Sequence, residues 1–354
     1  MMTAAGRAAI VGTGLIGGSI GLALRKRGWH VTGRDLDTNR ARRALELGAL
    51  DAIGEDAAAE LTFLATPAGA VVAEARKALA GRGIVTDVAG VKAAIVAAVD
   101  APRFVGGHPM AGSEQEGVEG ADPALFEGAT WVLTPTDTTD PEAYARVRTV
   151  VSSLGADAVA VAPARHDELV AMVSHVPHLT AAALMTLAAE SAEEHATLLR
   201  LAAGGFRDMT RVAAGHPGIW PDLCAENGAA ITATLDRLMA ALDEVRGLVA
   251  TEDRSGLLAL LERARDARTN LPRRAPRPED VVEIRVPVPD RPGVLAEVTT
   301  LLGELDVNIY DLEIAHSAEG DRGVLVLMVD ARHGELARGA LLARGYRPAT
   351  QRLG

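Results

Sequence analysis

Residues 105–120, VGGHPMAGSEQEGVEG, place one histidine in a glycine-rich setting. His108 follows two glycines and precedes a proline, and Ser113, Glu114 and Glu116 come shortly after it. An imidazole is well suited to general acid–base catalysis near neutral pH. The same pattern also fits an ordinary polar residue in a turn, because glycine favours turns. The local sequence therefore leaves two interpretations open, a catalytic histidine and a turn histidine.

A second motif, GTGLIGG, places Gly12, Gly14 and Gly17 in the spacing G-x-G-x-x-G. It follows a predicted strand and opens a predicted helix, and the next predicted strand ends at Asp35. In this context the glycines permit close approach of a pyrophosphate, and the carboxylate hydrogen-bonds the adenine ribose. The motif predicts a dinucleotide site. It favours NAD over NADP because Asp35 repels a 2′-phosphate, but the adjacent Arg34 leaves open how strict this preference is. The predicted cofactor contacts are Gly12, Gly14, Leu15, Ile16, Gly17, Asp35, Thr66 and Pro67.

Further candidates lie in a helical part of the chain. The string HDELVAMVSHVPH places His175 and His178 three residues apart, on one face of a predicted helix. GGFRDMTR gives Asp208 and Arg211 the same spacing, and Trp220 follows. Each residue also fits a structural role, as a core histidine, an exposed ion pair or a core tryptophan. No third ligand stands at a usual spacing and no HExxH motif occurs, so the sequence predicts no metal site.

Strands alternating with helices are predicted over residues 1–164. The strings AAIVG, HVTGRDLD, LTFLAT, GIVTDV, RFVGGH, TWVLTP and ADAVAVA predict strands, and helices are expected over 68–80 and 92–100. This order indicates a parallel sheet with helices on both faces, a Rossmann-type α/β domain. Ligands bind at the carboxyl ends of such strands, which is where His108 and TDVAGVK (86–92) are predicted to lie.

The pattern changes after residue 164. Residues 165–270 predict an all-α domain that closes a cleft against the first domain. Residues 271–278 belong to a proline- and arginine-rich string, TNLPRRAPRPED, that is typical of a linker. From 279 to 354 the predicted order is βαββαβ, the ferredoxin-like arrangement.

Composition excludes several classes of protein. The 354 residues carry a formal net charge of −11 with scattered basic residues, which argues against nucleic acid or an anionic membrane as partner. The sequence contains no run of about 18 consecutive apolar residues, so it predicts no membrane span. The first residues show no signal-peptide pattern. The single cysteine, Cys224, excludes an internal disulfide framework and indicates a reducing compartment. We therefore expect a cytoplasmic protein.

In combination, these strings resemble the TyrA family, the prephenate and arogenate dehydrogenases of tyrosine biosynthesis. The resemblance rests on VGTGLIGGSIGLAL, TDVAGVK, GGHPMAGSEQEG, HD…VSHVPH and GGFRDMTR, and it covers nearly the whole chain. The C-terminal string DRPGVLAEVTTLLGELDVNIYDLEI is similar to an ACT domain, a small regulatory module of amino-acid enzymes. The resemblance implies NAD-dependent oxidative decarboxylation of prephenate to 4-hydroxyphenylpyruvate, by a homodimer that associates through the helical domain.

The resemblance also implies roles for individual residues. His108 would hydrogen-bond the ring C4 hydroxyl and draw off its proton as hydride leaves, and the two glycines before it would let nicotinamide and substrate approach closely. Arg211 would hold a substrate carboxylate, and Asp208 would hold that arginine in place. The implied substrate-binding residues are Ser113, Glu114, His178, Gly204, Asp208, Arg211 and Trp220.

One position departs from the family pattern. Family members commonly carry a serine that hydrogen-bonds the catalytic histidine, and this chain has Gly90 there. Ser113, a water molecule or the cofactor would then replace the missing hydroxyl, or catalysis would be weaker.

The ACT-like domain is expected to bind a small amino acid at the loop between its first strand and first helix. Tyrosine, the end product, is the natural effector. The alternative is that this domain only strengthens a dimer. The implied regulatory residues are Asp290, Arg291, Gly293 and Asn308.

Alternative functions differ in what they require of the sequence. A β-hydroxyacid dehydrogenase would need a catalytic lysine in the helical domain, whereas lysine occurs only at Lys26, Lys77 and Lys92, which excludes that class. A catalytically altered sensor of NAD and amino acids is contradicted by the intact set of site residues. Prephenate and arogenate both stay open as substrates, because Glu114 and Glu116 are candidate partners for the amino group of arogenate. A 4-amino-substituted analogue of prephenate is a further candidate.

Overall fold

Two compact units make up the chain, Met1–Glu262 and Arg263–Gly354. Four of the sequence predictions, Glu114, Glu116, Asp290 and the linker 271–278, lie outside the residues that the structure describes. The computed structural model describes residues 6–113, 115, 117–194, 201–215, 217–270, 281–289, 291–316 and 322–352.

An eight-stranded sheet forms the centre of the first unit. The first six strands along the chain run parallel, which confirms the predicted Rossmann-type plan. They are short and apolar, as is typical of a sheet covered on both faces. The strand order is β3-β2-β1-β4-β5-β6-β7-β8, with β1 (Arg7–Val11), β2 (His30–Arg34), β3 (Ala52–Ile53), β4 (Leu61–Leu64), β5 (Ile84–Asp87), β6 (Phe104–Pro109), β7 (Thr130–Thr134) and β8 (Asp157–Ala160).

The last two strands depart from the parallel arrangement of the other six. β7 pairs with β6 in antiparallel register, with His108 opposite Val132, and β8 then runs parallel to β7. A parallel neighbour needs a crossover, usually through a helix. The described part of the connection between β6 and β7 contains only the short 3₁₀ helix Val118–Gly120. The chain therefore returns alongside β6, and the sheet is mixed.

Helices cover both faces of this sheet. Successive strand residues point to opposite faces, and Ile10 and Phe63 belong to one apolar cluster whereas Val11 and Leu64 belong to another. The helices predicted over 68–80 and 92–100 are present with slightly shorter bounds. The helices of this region are α1 (Leu15–Arg25), α2 (Thr38–Glu46), α3 (Ala68–Leu79), α4 (Ala93–Val99) and α5 (Pro141–Ser153). Buried residues of α1, α2 and α5 complete the first cluster, and those of α3 and α4 complete the second.

Beyond β8, the described residues as far as 269 lie mainly in helices. The first of these helices continues through a π-helical turn, Ala171–His175, directly into the second. Such a turn inserts one residue into the helical repeat and frequently marks a functional site. The helices are α6 (Pro163–Val170), α7 (Val176–Glu194), α8 (Gly204–Thr210), α9 (Trp220–Glu226), α10 (Gly228–Ala250) and α11 (Arg254–Thr269).

Within the described residues, one helical run, Pro163–Ser191, is long and apolar enough to cross a membrane by length and composition. A criterion of uninterrupted apolar residues does not find this run, because polar residues interrupt it. Three of these polar residues, His166, Asp167 and His175, are buried inside the protein. Of the most apolar window of the run, 28% is buried.

The second unit forms the predicted βαββαβ domain. Its four strands are antiparallel in the order β10-β11-β9-β12, and its core combines residues of the sheet and both helices, such as Ile284, Leu302 and Leu341. Gly293, just before the first helix, has a φ of +89°, a left-handed conformation that favours glycine. The elements are β9 (Val281–Pro289), α12 (Val294–Glu304), β10 (Ile309–His316), β11 (Arg322–Asp330), α13 (Gly334–Ala343) and β12 (Ala349–Arg352).

Candidate active site

A cradle of three glycines lies at the carboxyl end of β1. Gly12 has a φ of +93°, and a Cβ there would lie 2.3 Å from the Ala65 carbonyl oxygen. A Cβ at Gly17 would lie 1.9 Å from the Gly12 carbonyl oxygen. These two glycines therefore allow backbone to pack on backbone, whereas an added Cβ at Gly14 would have no atom within 4 Å. This arrangement lets a pyrophosphate approach the first turn of α1.

Asp35 follows β2 beside this cradle. Its carboxylate accepts a hydrogen bond of 2.8 Å from the Thr13 amide. The neighbouring Arg34 guanidinium pairs with Glu74 and lies 3.6 Å from the Glu55 carboxylate. A 2′-phosphate bound here would thus lie beside the Asp35 carboxylate and beside Arg34, whose charge is already balanced by acidic side chains. The surroundings of Asp35 favour NAD over a cofactor with that phosphate.

Thr66 and Pro67 join β4 to α3 next to the cradle. The Thr66 hydroxyl is buried and has no hydrogen-bond partner among the side chains that the structure describes. A buried hydroxyl without a partner is costly, so this group is available to a ligand. The first turn of α1, with Leu15 and Ile16, has no side-chain cap. Together with the open space at Gly14, these features mean that the residues present fit a dinucleotide.

His108 lies at the carboxyl end of β6, on the same edge of the sheet as the cradle. The two glycines before it are also required by the sheet itself. A Cβ at Gly106 would lie 2.3 Å from Thr134 Oγ1, and one at Gly107 would lie 2.7 Å from the Asp87 carbonyl oxygen. The two glycines therefore make room for the neighbouring strands β7 and β5.

A chain of hydrogen bonds runs from His108 into the protein. His108 Nδ1 lies 2.9 Å from His166 Nε2, and His166 Nδ1 lies 2.8 Å from an Asp167 carboxylate oxygen. This carboxylate also accepts hydrogen bonds from the Lys92 and Ala93 amides, each 2.8 Å long. The sequence analysis gave His166 and Asp167 no role, although they open the string HDELVAMVSHVPH. Their contact with His108 spans 58 residues and has no local signal.

The surroundings of His108 keep its imidazole neutral. Burial lowers the pKa of His108 well below its ordinary value of 6.5, and Lys92 lowers it further, as would a positive charge on His166 or His175. Burial alone would raise the pKa of Asp167, but hydrogen bonds from His166 and from two backbone amides outweigh burial and lower this pKa. At neutral pH a neutral imidazole therefore connects, through a second histidine, to an ionised carboxylate.

Residues of the string TDVAGVK form a buried ion pair close to His108. Lys92 Nζ pairs with the Asp87 carboxylate, and both side chains are fully buried. Asp87 also accepts hydrogen bonds from the amides of Ala89 (3.0 Å) and Gly107 (3.1 Å). Removing one partner of a buried ion pair leaves an uncompensated charge. The pair therefore fixes the loop that carries Gly90 against β6.

Gly90 faces the side of the imidazole that is turned away from His166. An added Cβ would lie 3.8 Å from His108 Nε2 and 3.5 Å from Leu223 Cδ1, which are ordinary contact distances. Ser113, one predicted substitute for the missing hydroxyl, instead accepts a hydrogen bond of 3.2 Å from the Gln115 amide. The partner that the structure provides for His108 is His166, on the other ring nitrogen.

Three aromatic side chains form a second group on the helical region. His178 stacks on Trp220 with ring centroids 3.8 Å apart, and His175 meets the same indole edge-on at 6.1 Å. The two histidines thus share a helix face, as the sequence predicts. Burial lowers the pKa of His175 to about 4 and also lowers the pKa of His178. Both imidazoles are therefore neutral at neutral pH.

Asn227 connects this aromatic group to the His108 network. Its side-chain amide donates to the Asp167 carbonyl oxygen at 2.9 Å and lies 3.2 Å from His175 Nδ1. Leu223, one turn earlier, packs against both the sheet cluster and the helical cluster. The sequence analysis also missed Asn227, whose bond to Asp167 spans 60 residues. One buried polar network therefore runs from His108 to the aromatic group.

The remaining predicted substrate residues lie at the surface of the helical region. Gly204 begins α8, Asp208 lies on that helix, and Arg211 follows it directly; all three are exposed. The predicted ion pair between Asp208 and Arg211 does not form within the part of the chain that the structure describes. Exposed ion pairs gain little because water solvates both charges. No group of three metal-binding side chains occurs among the described residues.

Sequence profiles of known families match three parts of the chain. Residues 20–160 match the family described as prephenate dehydrogenase, nucleotide-binding domain, and residues 162–263 match prephenate dehydrogenase, dimerization domain. Residues 282–344 match the ACT domain. The first two matches cover β2 to β8 and the helical region, which together contribute the His108 network.

Individual relatives agree with these profiles. Prephenate dehydrogenase of Bacillus subtilis (strain 168) is 34% identical over 334 residues, which are 89% of this chain and 90% of that protein. The crystal structure of prephenate dehydrogenase from A. aeolicus in complex with hydroxyphenyl propionate and NAD+ superposes with a TM-score of 0.72 at 29% identity, over 77% of this chain and 100% of that one. Synechocystis arogenate dehydrogenase superposes with a TM-score of 0.67 at 34% identity, over 74% of this chain and 99% of that one.

Proposed function

The chain belongs to the prephenate dehydrogenase family, and we propose that it oxidises prephenate to 4-hydroxyphenylpyruvate with NAD in tyrosine biosynthesis. The observation that carries this proposal is a neutral, half-buried imidazole, His108, on the sheet edge that also bears the glycine cradle. The relative that holds NAD+ and hydroxyphenyl propionate supports the cofactor and a ligand that combines a six-membered ring with a carboxylate.

His108 is the proposed general base. Its Nε2 atom takes the proton of the ring C4 hydroxyl while the hydrogen on C4 departs as hydride. NAD, when bound in the cradle of Gly12, Gly14 and Gly17, supplies the hydride acceptor. The ring carboxylate is lost as CO2, and the ring becomes aromatic, which makes the step effectively irreversible.

The helical region supplies the proposed substrate contacts. Arg211 binds a substrate carboxylate, because a planar guanidinium can donate two parallel hydrogen bonds to it. His178 and Trp220 form one wall of the pocket, and their stacking holds both rings in place. The residues proposed to complete the pocket are Ser113, Glu114, Gly204 and Asp208.

Arogenate is the second candidate substrate. The observation that favours it is the similarity to Synechocystis arogenate dehydrogenase over 74% of this chain. Arogenate carries an amino group where prephenate carries a keto group, so a carboxylate beside that group would favour arogenate. Glu114 is the proposed position of such a carboxylate.

We also propose a homodimer that forms through the helical region. The profile matched by residues 162–263 is described as a dimerization domain. An apolar cavity of about 540 Å³ lies among the π turn, α7, α8 and α10, with Met172, Val176, Met209 and Leu238 in its walls. Met172 and Met209 are exposed in the single chain. Exposed apolar surface of this kind is typical of a protein–protein interface.

The ACT domain is proposed to bind tyrosine as a feedback effector. The proposed contacts with described positions are Arg291, Gly293 and Asn308, and the left-handed turn at Gly293 lets the backbone amides before α12 approach a ligand. An allosteric effect requires that tyrosine bind two states of the enzyme with different affinity.

A cytoplasmic location is part of the proposal. Cys224 is a free thiol, which is compatible with a reducing compartment. The biosynthetic role of the relatives supports the same location.

The test of the proposed function is NADH formation by the purified full-length protein with prephenate, with arogenate and without substrate, each with and without tyrosine. We expect turnover of prephenate and a lower rate when tyrosine is present. Turnover of arogenate alone would assign the second function. Binding of NADH without turnover of either substrate would contradict both.

We expect the substitution Gly90→Ser to leave turnover unchanged or to raise it several-fold. The new Cβ fits, and the hydroxyl one bond further out comes within hydrogen-bond reach of His108 Nε2. Gly90→Ala is the matched control because it adds the same Cβ without a hydroxyl. Steady-state NADH formation measures both variants. A loss of about tenfold or more, equivalent to 1.4 kcal/mol, in both variants would show instead that this loop requires glycine.

A further inference from the structure

The proposed function leaves two buried residues, His166 and Asp167, without a task. We propose that they are positioning residues for His108: they hold it in the tautomer with a proton on Nδ1, direct its Nε2 lone pair towards the substrate, and stabilise the imidazolium that forms. This inference rests on the proposed function in one respect, namely that His108 is the base.

The tautomer follows from the donors and acceptors along the chain of hydrogen bonds. An ionised Asp167 carboxylate can only accept hydrogen bonds, so His166 Nδ1 donates to it. When His166 carries only this proton, it has a lone pair on Nε2, and His108 Nδ1 donates to that atom. His108 Nε2 is left without a proton, on the side of the ring that faces Gly90. The network therefore presents the basic nitrogen to the open side of the site.

The same chain of hydrogen bonds stabilises the product of proton transfer. The O–H bond of the substrate breaks and an N–H bond forms at His108 Nε2, while NAD, the co-substrate of the proposed reaction, receives the hydride. The imidazolium now donates a charge-assisted hydrogen bond from Nδ1 to His166, and such bonds are stronger than neutral ones. His166 and Asp167 are only 2% and 6% exposed, so water screens these interactions little.

The other titratable groups around His108 are held in place by separate contacts. His166 on α6, Lys92 before α4 and His175 on the π turn face the imidazole. Lys92 is paired with the Asp87 carboxylate of β5, and His175 is held by an amide side chain. Replacing His166 therefore removes the acceptor of the His108 Nδ1 proton and leaves the buried ion pair in place.

The experiment compares His166→Leu with His166→Gln in the full-length enzyme. Glutamine keeps a hydrogen-bond acceptor near the position of Nε2, whereas leucine keeps only the volume. For the leucine variant we expect kcat to fall about tenfold or more, with little change in KM. Its acid limb of kcat/KM should move to lower pH, because the imidazolium has lost its acceptor and is harder to form. The glutamine variant should retain most of the rate.

A role in packing alone predicts a different result. Equal losses in the two variants, or an acid limb that stays in place in the leucine variant, would overturn the proposal. A limb that moves to higher pH would also overturn it, because His166 would then act as a cation that repels His108. The control is His30→Leu, which replaces a more exposed histidine outside the site and should change neither rate nor pH profile.

Histidine ¹⁵N NMR separates this proposal from the proposed function because it needs no turnover. The ¹⁵N signals of His108 are assigned as those that disappear from the spectrum of a His108→Asn variant. We expect the wild-type imidazole to carry its proton on Nδ1 and the leucine variant to lose this preference. A proton on Nε2 in the wild type would overturn the proposal. The expected tautomer in a protein that turns over neither substrate would instead refute the proposed function and leave the positioning intact.

Discussion

Replacing His108 with asparagine is expected to lower kcat by about 10²–10⁴-fold, the usual contribution of a positioned general base. Asparagine has no basic nitrogen, so the hydroxyl proton would have to leave to water during hydride transfer. The glycine cradle is untouched, so NADH should bind with wild-type affinity. Single-turnover NADH formation measures the chemical step, and NADH fluorescence measures binding. A kcat within about tenfold of wild type would exclude His108 as the base.

The pH dependence of the wild type gives an independent check on His108. The base must be neutral to accept a proton, so activity is lost as the pH falls through the pKa of His108. Burial first, and then the positive charge of Lys92, hold this pKa well below 6.5. The acid limb of kcat/KM should therefore lie below pH 6.5 and vanish in the residual activity of the asparagine variant. An acid limb above this value would contradict the described surroundings of the imidazole.

Local patterns were sufficient to predict the elements that carry the cofactor site. The glycines of GTGLIGG act within a single strand–turn–helix unit, and the Cβ positions of Gly12 and Gly17 confirm the close packing that their spacing predicts. The fold of the ACT domain could be predicted in the same way, because alternating short apolar segments in its sequence indicate the βαββαβ order. In both cases the information lies within a few residues of where it acts.

The direction of β7 could not be predicted in this way. Its apolar sequence, TWVLT, is equally compatible with a parallel and an antiparallel neighbour. What decides the direction is the connection from β6, which lacks a crossover helix in its described part. The antiparallel register places Thr134 opposite Gly106, and a Cβ at Gly106 would lie 2.3 Å from the Thr134 hydroxyl oxygen. Gly106 is therefore required by a neighbouring strand whose direction the sequence does not reveal.

The hydrogen-bond network of His108, His166 and Asp167 could not be predicted from the sequence for a different reason. His166 and Asp167 are adjacent in sequence and lie in a string that carried the family resemblance, yet nothing local distinguishes them from exposed polar residues at a helix start. Their burial and their bond to His108 arise only when α6 packs beside β6.

Replacing Arg211 with alanine is expected to raise the KM for prephenate about 10- to 100-fold, because hydrogen bonds to a charged group contribute about 1.5–3 kcal/mol and each 1.4 kcal/mol is a factor of ten. The guanidinium binds a carboxylate that does not change charge during hydride transfer, so kcat should fall much less than KM rises. Arg211→Lys should recover only part of the loss, since an ammonium cannot donate in a planar fork.

The control for Arg211 is Arg207→Ala on the preceding helix. The Arg207 guanidinium donates to the Ala202 carbonyl oxygen at 3.1 Å, so its removal takes one positive charge from the same surface without touching the proposed carboxylate site. Its KM should stay at the wild-type value. Equal increases in both variants would mean that the helical region attracts prephenate only through its overall charge. A fall in kcat as large as that of the His108 variant, with an unchanged KM, would instead place Arg211 at the reacting atoms.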